Sequence, residues 1–546
     1  MQERVTQMLD QASFPTFLLS FLTNRSLPLP PSNSYIHKRK TEMVGTLNEQ
    51  KITQYFKNKN ILITGSTGLL GKVLLEKILR VQPDVKKIYL PVRAVNSVAA
   101  KERVDTEVVG NELFGILREK HGDMFQSFTV EKIVPFAGDV MYEDFGIDVV
   151  TLRELQLTED LEIIINAAAT TNFCERYDVA LGVNVVGVKH MCNFAKKCPN
   201  LDVLLHISTA YVAGEKQGLV QERLFKDGET LRAGTHLNID IELSIAKDLK
   251  KKLETDVDMS SKAMKELGLS RARHFGWPNT YVFTKTMGEM ILSQLLRRED
   301  DIPVVIVRPS IITSILNDPL PGWIQGTRTI DTFLISYAKQ NLPCALGDLD
   351  LTMDVIPSNM VVNAIISAIV THSSLSNPKR EGAEDSPVVY HVSSSTRHPV
   401  PYGILYRTAK RYFDEHPRVG TDGRVVPTRE VWLINNITLF HFLVVVTFRF
   451  PLELLHVLSI LCCGLFGLGP LYHDLAEKYR ILIKLMDIYG PFALFKGCFD
   501  DFNLNKLRLS MIDDDASIFN FDPKTIDWED YFYRVHIPGV MKYLFK

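Results

Sequence analysis

Features that mark several protein classes are scarce or missing in this sequence. Its seven cysteines are an odd number without a Cys-x-x-Cys pair, which predicts reduced thiols rather than a disulfide framework. No metal-ligand spacing is present either, so no metal is expected. The net charge of -2 gives no electrostatic case for binding nucleic acid. With 46% hydrophobic and 23% charged residues, the chain is expected to be globular rather than disordered.

The length of 546 residues exceeds one ordinary core and predicts two or three domains. From Lys57 to about Val400, short apolar segments alternate with helical ones. This alternation predicts an α/β fold, a doubly wound parallel sheet of the Rossmann type. The expected strands are Asn60-Ile63, Lys87-Val92, Glu131-Phe136, Leu161-Asn166, Val203-Ile207, Val304-Val307 and Val388-Val392. A polar segment at 377–387 is expected to be a surface loop before the last strand.

Three regions are predicted: a flexible extension at 1–50, a Rossmann domain at 51–400 and a mainly helical C-terminal domain at 401–546. The first 42 residues carry a short apolar run, several prolines, a basic cluster and few acids. These features fit a targeting segment, and they also fit an unstructured extension upstream of Met43, which would itself serve as an initiator.

The predicted C-terminal domain contains two apolar stretches, Val431–Phe448 and Leu454–Tyr472, that lack Asp, Glu, Lys and Arg. Arg449 and Glu453 separate them. Asparagine and histidine interrupt the first stretch, whereas glycine and proline interrupt the second. Buried or membrane-surface helices are therefore expected rather than two membrane crossings.

A glycine-rich turn follows the first strand and precedes a predicted helix, which is the context of a dinucleotide-binding turn. Gly65 is expected to permit the tight turn, Gly68 to let the backbone approach a pyrophosphate, and Gly71 to bring the helix close to the sheet. The helix N-terminus then faces the anion. The spacing is G-x-x-G-x-x-G, which is weak by itself. The remaining candidate cofactor residues of the turn are Ser66, Thr67 and Leu69.

Other cofactor contacts are expected where later strands end. Arg93 ends the second strand with a cation, which favours the 2′-phosphate of NADP over NAD, although a solvated strand-end arginine is the alternative. Asp139 follows the third strand and would lie beside the adenine or merely shape a turn. Asn166 and Ala168 close the fourth strand with small side chains, which would let the nicotinamide lie close to the backbone.

Three residues form the candidate catalytic set. Tyr281 and Lys285 share one helix face because they lie four residues apart. Tyr281 would donate a proton to a developing oxyanion, and Lys285 would lower the pKa of that phenol and contact the nicotinamide ribose. Thr209 would hydrogen-bond the substrate carbonyl, with Ser208 as a competitor. Asn184 would complete a proton path through water or hold its helix locally.

Between Thr209 and Tyr281 lies an insertion at 214–278, rich in charge and helical in period, whose position suggests a cover over the site.

Several motifs together resemble the plant-type alcohol-forming fatty acyl-CoA reductases, which are extended short-chain dehydrogenases/reductases with a C-terminal sterile-type domain. The resemblance covers nearly everything after Met43. It is carried by the glycine turn and by the runs Ile165–Phe173, His206–Tyr211, Tyr281–Lys285, Arg308–Ser310, Pro321–Ile324 and Ile526–Phe532.

The resemblance implies an enzyme that reduces a long-chain acyl-CoA to a primary alcohol and CoA through a bound aldehyde. Two NADPH are consumed, and the alcohol would feed wax, suberin or related lipid biosynthesis. It also implies peripheral membrane association at the endoplasmic reticulum or a cytoplasmic location, with a plastid as the alternative. Acyl chain length and oligomeric state are not marked in the sequence.

Several alternatives stay open. The donor would be an acyl carrier protein in a plastid enzyme, or the product would be the aldehyde. A sugar-nucleotide epimerase or steroid dehydrogenase would use the same threonine, tyrosine and lysine, but the apolar C-terminal region argues against it. A cofactor-binding scaffold without turnover would not need an intact Tyr281 and Lys285.

Overall fold

The computed structural model describes residues 52–155, 157–253, 256–295, 302–340, 342–373, 388–419, 423–461 and 468–545. The predicted extension at 1–50 and the predicted loop at 377–387 lie outside the described residues. Everything described belongs to one compact unit.

A parallel sheet of seven strands forms the centre of this unit, with the spatial order β7-β6-β5-β4-β1-β2-β3. The order reverses between β1 and β4, which is where ligands bind in open α/β sheets. The strands are β1 Asn60–Thr64, β2 Lys87–Val92, β3 Ile133–Ala137, β4 Ile163–Asn166, β5 Val203–Ile207, β6 Val304–Pro309 and β7 Val388–Val392. The predicted doubly wound fold is confirmed.

Strand bounds differ from the prediction where a neighbouring element competes for the same residues. β3 begins two residues later than predicted because the helix Phe125–Lys132 continues to its edge. β6 extends to Pro309, and its residues Val305 to Pro309 pair with β7. Periodicity alone does not locate such ends.

The strands are buried on both faces, as continuous apolar runs in parallel sheets predict. Along β1, Ile61 and Ile63 point into one hydrophobic core and Leu62 points into the other. Each core is closed by a layer of helices on its side of the sheet. The longer helices include α1 Leu69–Val81, α2 Gly187–Lys196, α3 Ile239–Lys252, α4 Val257–Phe275, α5 Thr280–Leu295, α6 Thr329–Ala338, α7 Ser358–His372, α8 Tyr402–Glu415, α9 Ile437–Leu461 and α10 Leu468–Ala493.

The insertion between Thr209 and Tyr281 forms α3 and α4, which pack on the helix Tyr177–Leu181, while α4 also packs on α5. A buried polar cluster joins them. The Tyr177 hydroxyl donates to Glu242 over 2.8 Å, and Nε of Arg271 donates to the same carboxylate over 2.9 Å. These contacts place the insertion against the helices that flank the site.

The C-terminal region completes the core of the sheet rather than standing apart from it. Phe521, Trp528 and Tyr531 belong to the same hydrophobic cluster as β1 and α7. The Tyr531 hydroxyl also donates to Thr313 over 2.7 Å. The region is mainly helical, as predicted. The domain boundary near residue 400 stays a prediction, because this core crosses it.

One helix, α9, is long and apolar enough to cross a membrane, with a mean hydropathy of 1.8 and only 6% of its apolar window buried; the search covers only the described residues. It runs through Arg449 and Glu453, with a π-helical turn at Val445–Arg449. Arg449 and Glu453, which separate the two apolar stretches in the sequence, therefore lie within one continuous helix. Backbone hydrogen bonding continues across them because both side chains reach solvent from a surface helix.

Candidate active site

The glycine turn between β1 and α1 needs glycine at two positions. Gly65 has a φ of +69°, and a Cβ there would lie 2.8 Å from the carbonyl carbon of Ala167. At Gly71, a Cβ would lie 2.3 Å from the carbonyl oxygen of Gly65. Both values are below any normal contact, so the first turn of α1 rests directly on the backbone of the turn.

The same turn leaves polar groups available for an anion. α1 begins at Leu69, and Gly68 before it provides no side-chain cap for the first N–H groups. The Ser66 hydroxyl is buried and has no hydrogen-bond partner among the described residues. These groups fit the pyrophosphate of a dinucleotide, which helix N-termini bind through their free N–H groups.

A buried chain of hydrogen bonds runs from this turn to the catalytic lysine. The Ala168 N–H donates to the Thr64 hydroxyl over 3.0 Å, and that hydroxyl donates to Asn166 over 2.9 Å. The Asn166 amide nitrogen lies 3.1 Å from Nδ1 of His206, and Nε2 of His206 lies 3.3 Å from Nζ of Lys285. The chain therefore joins the ends of β1, β4 and β5 to α5.

The far end of this chain is Lys285, whose Nζ faces Nε2 of the buried His206 ring. Burial lowers the pKa of Lys285 to about 8 against the opposing charge of Glu289. Burial and the lysine charge hold the pKa of His206 well below its usual value. Nζ also donates to the Ile207 carbonyl over 2.7 Å.

Thr209 lies beside the phenol of Tyr281. Burial raises the pKa of Tyr281 to about 12, and the charge of Arg328 and a hydrogen bond with Thr209 oppose this rise. The Ser208 hydroxyl is buried without a partner among the described residues, so the threonine is the neighbour that contacts the phenol. The predicted effect of Lys285 on the pKa of Tyr281 stays a prediction. Its Nζ contacts His206 and the Ile207 carbonyl, and Arg328 is a cation whose charge lowers the pKa of the phenol.

Asn184 is held in place by its neighbours. It lies in the π-helical turn Gly182–Val186 and accepts a hydrogen bond from the Thr170 N–H over 3.2 Å. Its amide nitrogen donates to the Thr170 carbonyl over 3.2 Å and to the Thr284 hydroxyl over 3.0 Å. Both amide hydrogens are used, so the side chain fixes α5 against the loop after β4. This local role was the alternative to a cofactor contact.

Two other predicted cofactor residues differ in how free they are. Arg93 is exposed at the end of β2, and its carbonyl accepts a hydrogen bond from Arg103 over 2.9 Å. Asp139 accepts from the Met141 N–H over 3.0 Å, which is the turn-forming role. Among the described residues, the exposed guanidinium of Arg93 is therefore available to an anion, whereas one carboxylate oxygen of Asp139 is used in a turn of its own backbone.

An aromatic layer that starts on Tyr281 continues into the C-terminal region. The Phe173 ring stacks on Tyr281 with centroids 5.7 Å apart and an interplanar angle of 13°. Phe173 in turn contacts Tyr489 at 5.9 Å and Phe492 at 5.7 Å between centroids. The aromatic layer beside the phenol thus continues into α10, and it is not formed by the insertion that was expected to cover the site.

An apolar cleft begins at these aromatic side chains. It encloses about 880 Å³ of empty space, including the part open to solvent. Its lining includes Ile330, Phe333 and Leu334 of α6, Leu405 and Ala409 of α8, and Tyr489 and Phe492 of α10. Because Tyr489 and Phe492 contact both Phe173 and the cleft, a chain of apolar groups in the cleft would end near Tyr281.

Comparison with known proteins agrees with this geometry. A family model described as male sterility protein, with an NAD-binding label, matches residues 63–365, and a second model with the same description matches residues 447–546. The alcohol-forming fatty acyl-CoA reductase of Simmondsia chinensis is 42% identical and aligns over 90% of this chain and 98% of its own length. The chain belongs to the fatty acyl-CoA reductase family.

Further similarities of this reductase extend the comparison. Fatty acyl-CoA reductase 2, chloroplastic, of Arabidopsis thaliana is 36% identical over 92% of this chain and 81% of its own length. The terminal R domain of the myxalamid PKS-NRPS biosynthetic pathway has a TM-score of 0.51 at 15% identity, covering 89% of this chain and 91% of that domain. That structure supports the shared fold. The family places this reductase among oxidoreductases with a nicotinamide cofactor.

Sequence reasoning missed two residues of the site in this reductase. The sequence could have indicated His206, because it is a polar residue within an otherwise apolar strand, and the structure shows it fully buried. Arg328 carried none, because it follows a glycine-containing loop far from Tyr281 along the chain and reaches the phenol only in the folded protein.

The glycine turn generates a test of cofactor binding. Gly71→Ala places a Cβ 2.3 Å from the Gly65 carbonyl and should push α1 away from the turn, weakening NADPH affinity at least about tenfold. Gly115→Ala is a matched control, because its Cβ would meet nothing within 4 Å. Fluorescence titration measures both variants. Equal affinities would contradict this role of the turn.

Proposed function

We propose that this reductase converts a long-chain fatty acyl-CoA to the primary alcohol and CoA, using NADPH. The observation that carries the proposal is that Tyr281 and Thr209 lie next to an apolar cleft, with Phe173, Tyr489 and Phe492 joining the two. A thioester carbonyl at the phenol would have its acyl chain beside these aromatic rings. The alcohol-forming activity in the printed name of the Simmondsia chinensis relative supports the same product.

The choice of NADPH rests on charge at the end of β2. Arg93 is exposed there, with Lys101 and Arg103 on the helix Ser97–Val104. Enzymes that prefer NAD usually place a carboxylate at this position to bind the ribose hydroxyls. A cation instead favours a 2′-phosphate, which a guanidinium binds through two parallel hydrogen bonds.

The reaction needs proton donation at one oxygen in two successive steps. Bound NADPH supplies the hydride. Tyr281 gives its proton to the carbonyl oxygen as negative charge develops, and Thr209 hydrogen-bonds the same oxygen. The resulting hemithioacetal loses the CoA thiol, whose sulfur takes the hydroxyl proton, and leaves an aldehyde. Once Tyr281 has regained a proton from solvent and a second NADPH has bound, Tyr281 gives its proton to the aldehyde oxygen in the second reduction while Thr209 hydrogen-bonds that oxygen. No cysteine nucleophile is required.

The acyl chain and the membrane meet on the same side of the proposed site. α9 exposes Phe442, Phe450, Leu454 and Leu458, and it packs against α10, which lines the cleft. A helix this apolar and this exposed fits the surface of a bilayer. We infer peripheral association with the endoplasmic reticulum or another cytoplasmic membrane surface. A plastid location is the alternative, since one relative carries a chloroplastic name and residues 1–42 have targeting features.

The decisive measurement is the ratio of NADPH consumed to CoA thiol released. Purified protein is supplied with NADPH and a series of acyl-CoA thioesters, and NADPH consumed, CoA thiol released and lipid product are determined together. We expect about two NADPH per thiol and a fatty alcohol. One NADPH per thiol with accumulating aldehyde would indicate an aldehyde-forming enzyme. Turnover only with acyl carrier protein thioesters would identify the plastid-type donor, and no consumption with any thioester would refute the proposal.

The acid role of Tyr281 is tested by Tyr281→Phe. Removing the phenolic proton should lower turnover at least about 100-fold, while NADPH affinity stays within about twofold of the parent. Tyr533→Phe serves as the control, because its hydroxyl pairs with Glu415 on the surface. Unchanged turnover in Tyr281→Phe would exclude Tyr281 as the acid.

Membrane association is tested on α9. Leu454 and Leu458 are 53% and 43% exposed, and changing both to Asp should abolish flotation with phosphatidylcholine vesicles by removing apolar contact. Leu509→Asp, at a residue 68% exposed on the helix Phe502–Leu509, controls for the added charge. Retained flotation of the double variant would show that α9 does not carry the association.

A further inference from the structure

Arg328 is a cation beside the phenol that the mechanism has not yet used. It follows Gly326, which has a φ of +76°, and stands immediately before α6. Its backbone N–H donates to the Asp331 carboxylate over 3.2 Å, which fixes the start of the helix. Nη1 of its guanidinium is buried and has no hydrogen-bond partner among the described residues.

Arg328 lies close to three parts of the proposed site: the glycine turn, the apolar cleft and Tyr281. Just before it, Nε2 of Gln325 lies 3.4 Å from the Thr67 carbonyl in the glycine turn. Just after it, Ile330 and Phe333 line the apolar cleft. Arg328 also lowers the pKa of Tyr281 by its charge. The guanidinium therefore lies where the cofactor turn, the cleft and the phenol come together.

No carboxylate forms a close ion pair with this cation: no carboxylate oxygen lies within 4 Å of the guanidinium in the part of the chain that the structure describes. The nearby Asp331 accepts the Arg328 N–H through one oxygen, and its other oxygen, 3.3 Å from Nε2 of His536, has no hydrogen-bond partner among the described residues. Burial lowers the pKa of Arg328, and the charge of Asp331 opposes this fall. A buried donor without an acceptor fits an anion that exists only during the reaction.

We propose that Arg328 is a third catalytic residue, whose Nη1 donates a hydrogen bond to the substrate oxygen as that oxygen becomes an oxyanion in each hydride transfer. This rests on the proposed function. Tyr281 and Thr209 supply the other two hydrogen bonds. The anion is the alkoxide formed from a thioester in the first reduction and from an aldehyde in the second, so Arg328 acts equally in both.

The equal effect expected on the thioester and aldehyde reductions distinguishes this role of Arg328 from other roles for the same charge. A guanidinium that bound a phosphate of CoA, or that stabilised the departing thiolate, would matter for the thioester and not for the free aldehyde. One that bound the cofactor would change NADPH affinity. A donor to the oxyanion slows both reductions while leaving substrate and cofactor binding in place, whereas a guanidinium that acted only by lowering the pKa of Tyr281 would shift the pH dependence of kcat when it is removed.

The experiment measures Arg328→Ala and Arg328→Lys with a long-chain acyl-CoA and with the free aldehyde of the same chain. We expect kcat of Arg328→Ala to fall about 100-fold to 1,000-fold for both substrates, with KM and NADPH affinity within about threefold of the parent. Guanidinium chloride at low millimolar concentration should restore part of kcat for both. Arg328→Lys should lose less, because it keeps the charge without the planar fork.

The result is compared with a control variant and with the parent enzyme. Arg232→Ala removes an exposed arginine of the insertion and should leave all values unchanged. A loss confined to the thioester, a loss in KM or NADPH affinity alone, or unchanged kcat would overturn the role of Arg328. If circular dichroism shows that Arg328→Ala is not folded, the substrate comparison is decided on Arg328→Lys. A parent enzyme inactive on both substrates would instead refute the proposed function.

Discussion

The hydrogen-bond chain from Thr64 through Asn166 and His206 to Lys285 is the constraint on which the site depends. Each member is buried, so each polar atom needs a partner within the protein. The chain pairs them in sequence, from the Ala168 N–H to Nζ of the lysine. Because its members end β1, β4 and β5, the same bonds that satisfy the sheet edge also set the position of α5 and therefore of the phenol.

A second consequence concerns how charge is distributed around the phenol. Lys285 faces His206 and the Ile207 carbonyl, and its pKa is lowered mainly by burial. Arg328 is a cation whose charge lowers the pKa of Tyr281. Two cations thus border different parts of the site: Lys285 contacts the sheet edge, whereas Arg328 stands immediately before α6, which lines the cleft.

The C-terminal region supplies what a Rossmann sheet lacks for a lipid substrate. Its Tyr489 and Phe492 contact Phe173, the ring that stacks on the phenol, and α10 forms one wall of the apolar cleft. Its last helices pack into the core that contains β1 and α7. That shared core makes the cleft part of the reductase fold, since the walls cannot shift without disturbing the packing of the sheet.

By itself the sequence determined the features that local chemistry controls: the seven strands, the glycine turn and the tyrosine and lysine on one helix face. Apolar periodicity and glycine's freedom at positive φ act over a few residues, so they can be predicted without the fold. Only the tertiary structure decided that Asn184 bonds Thr170 and Thr284, and that the Asp139 carboxylate accepts the Met141 N–H. It also decided that the charge of Arg328 acts on the phenol and that Phe173, in contact with α10, stacks on it. Those outcomes depend on which hydrogen-bond and packing partners distant segments provide, and no local pattern specifies them.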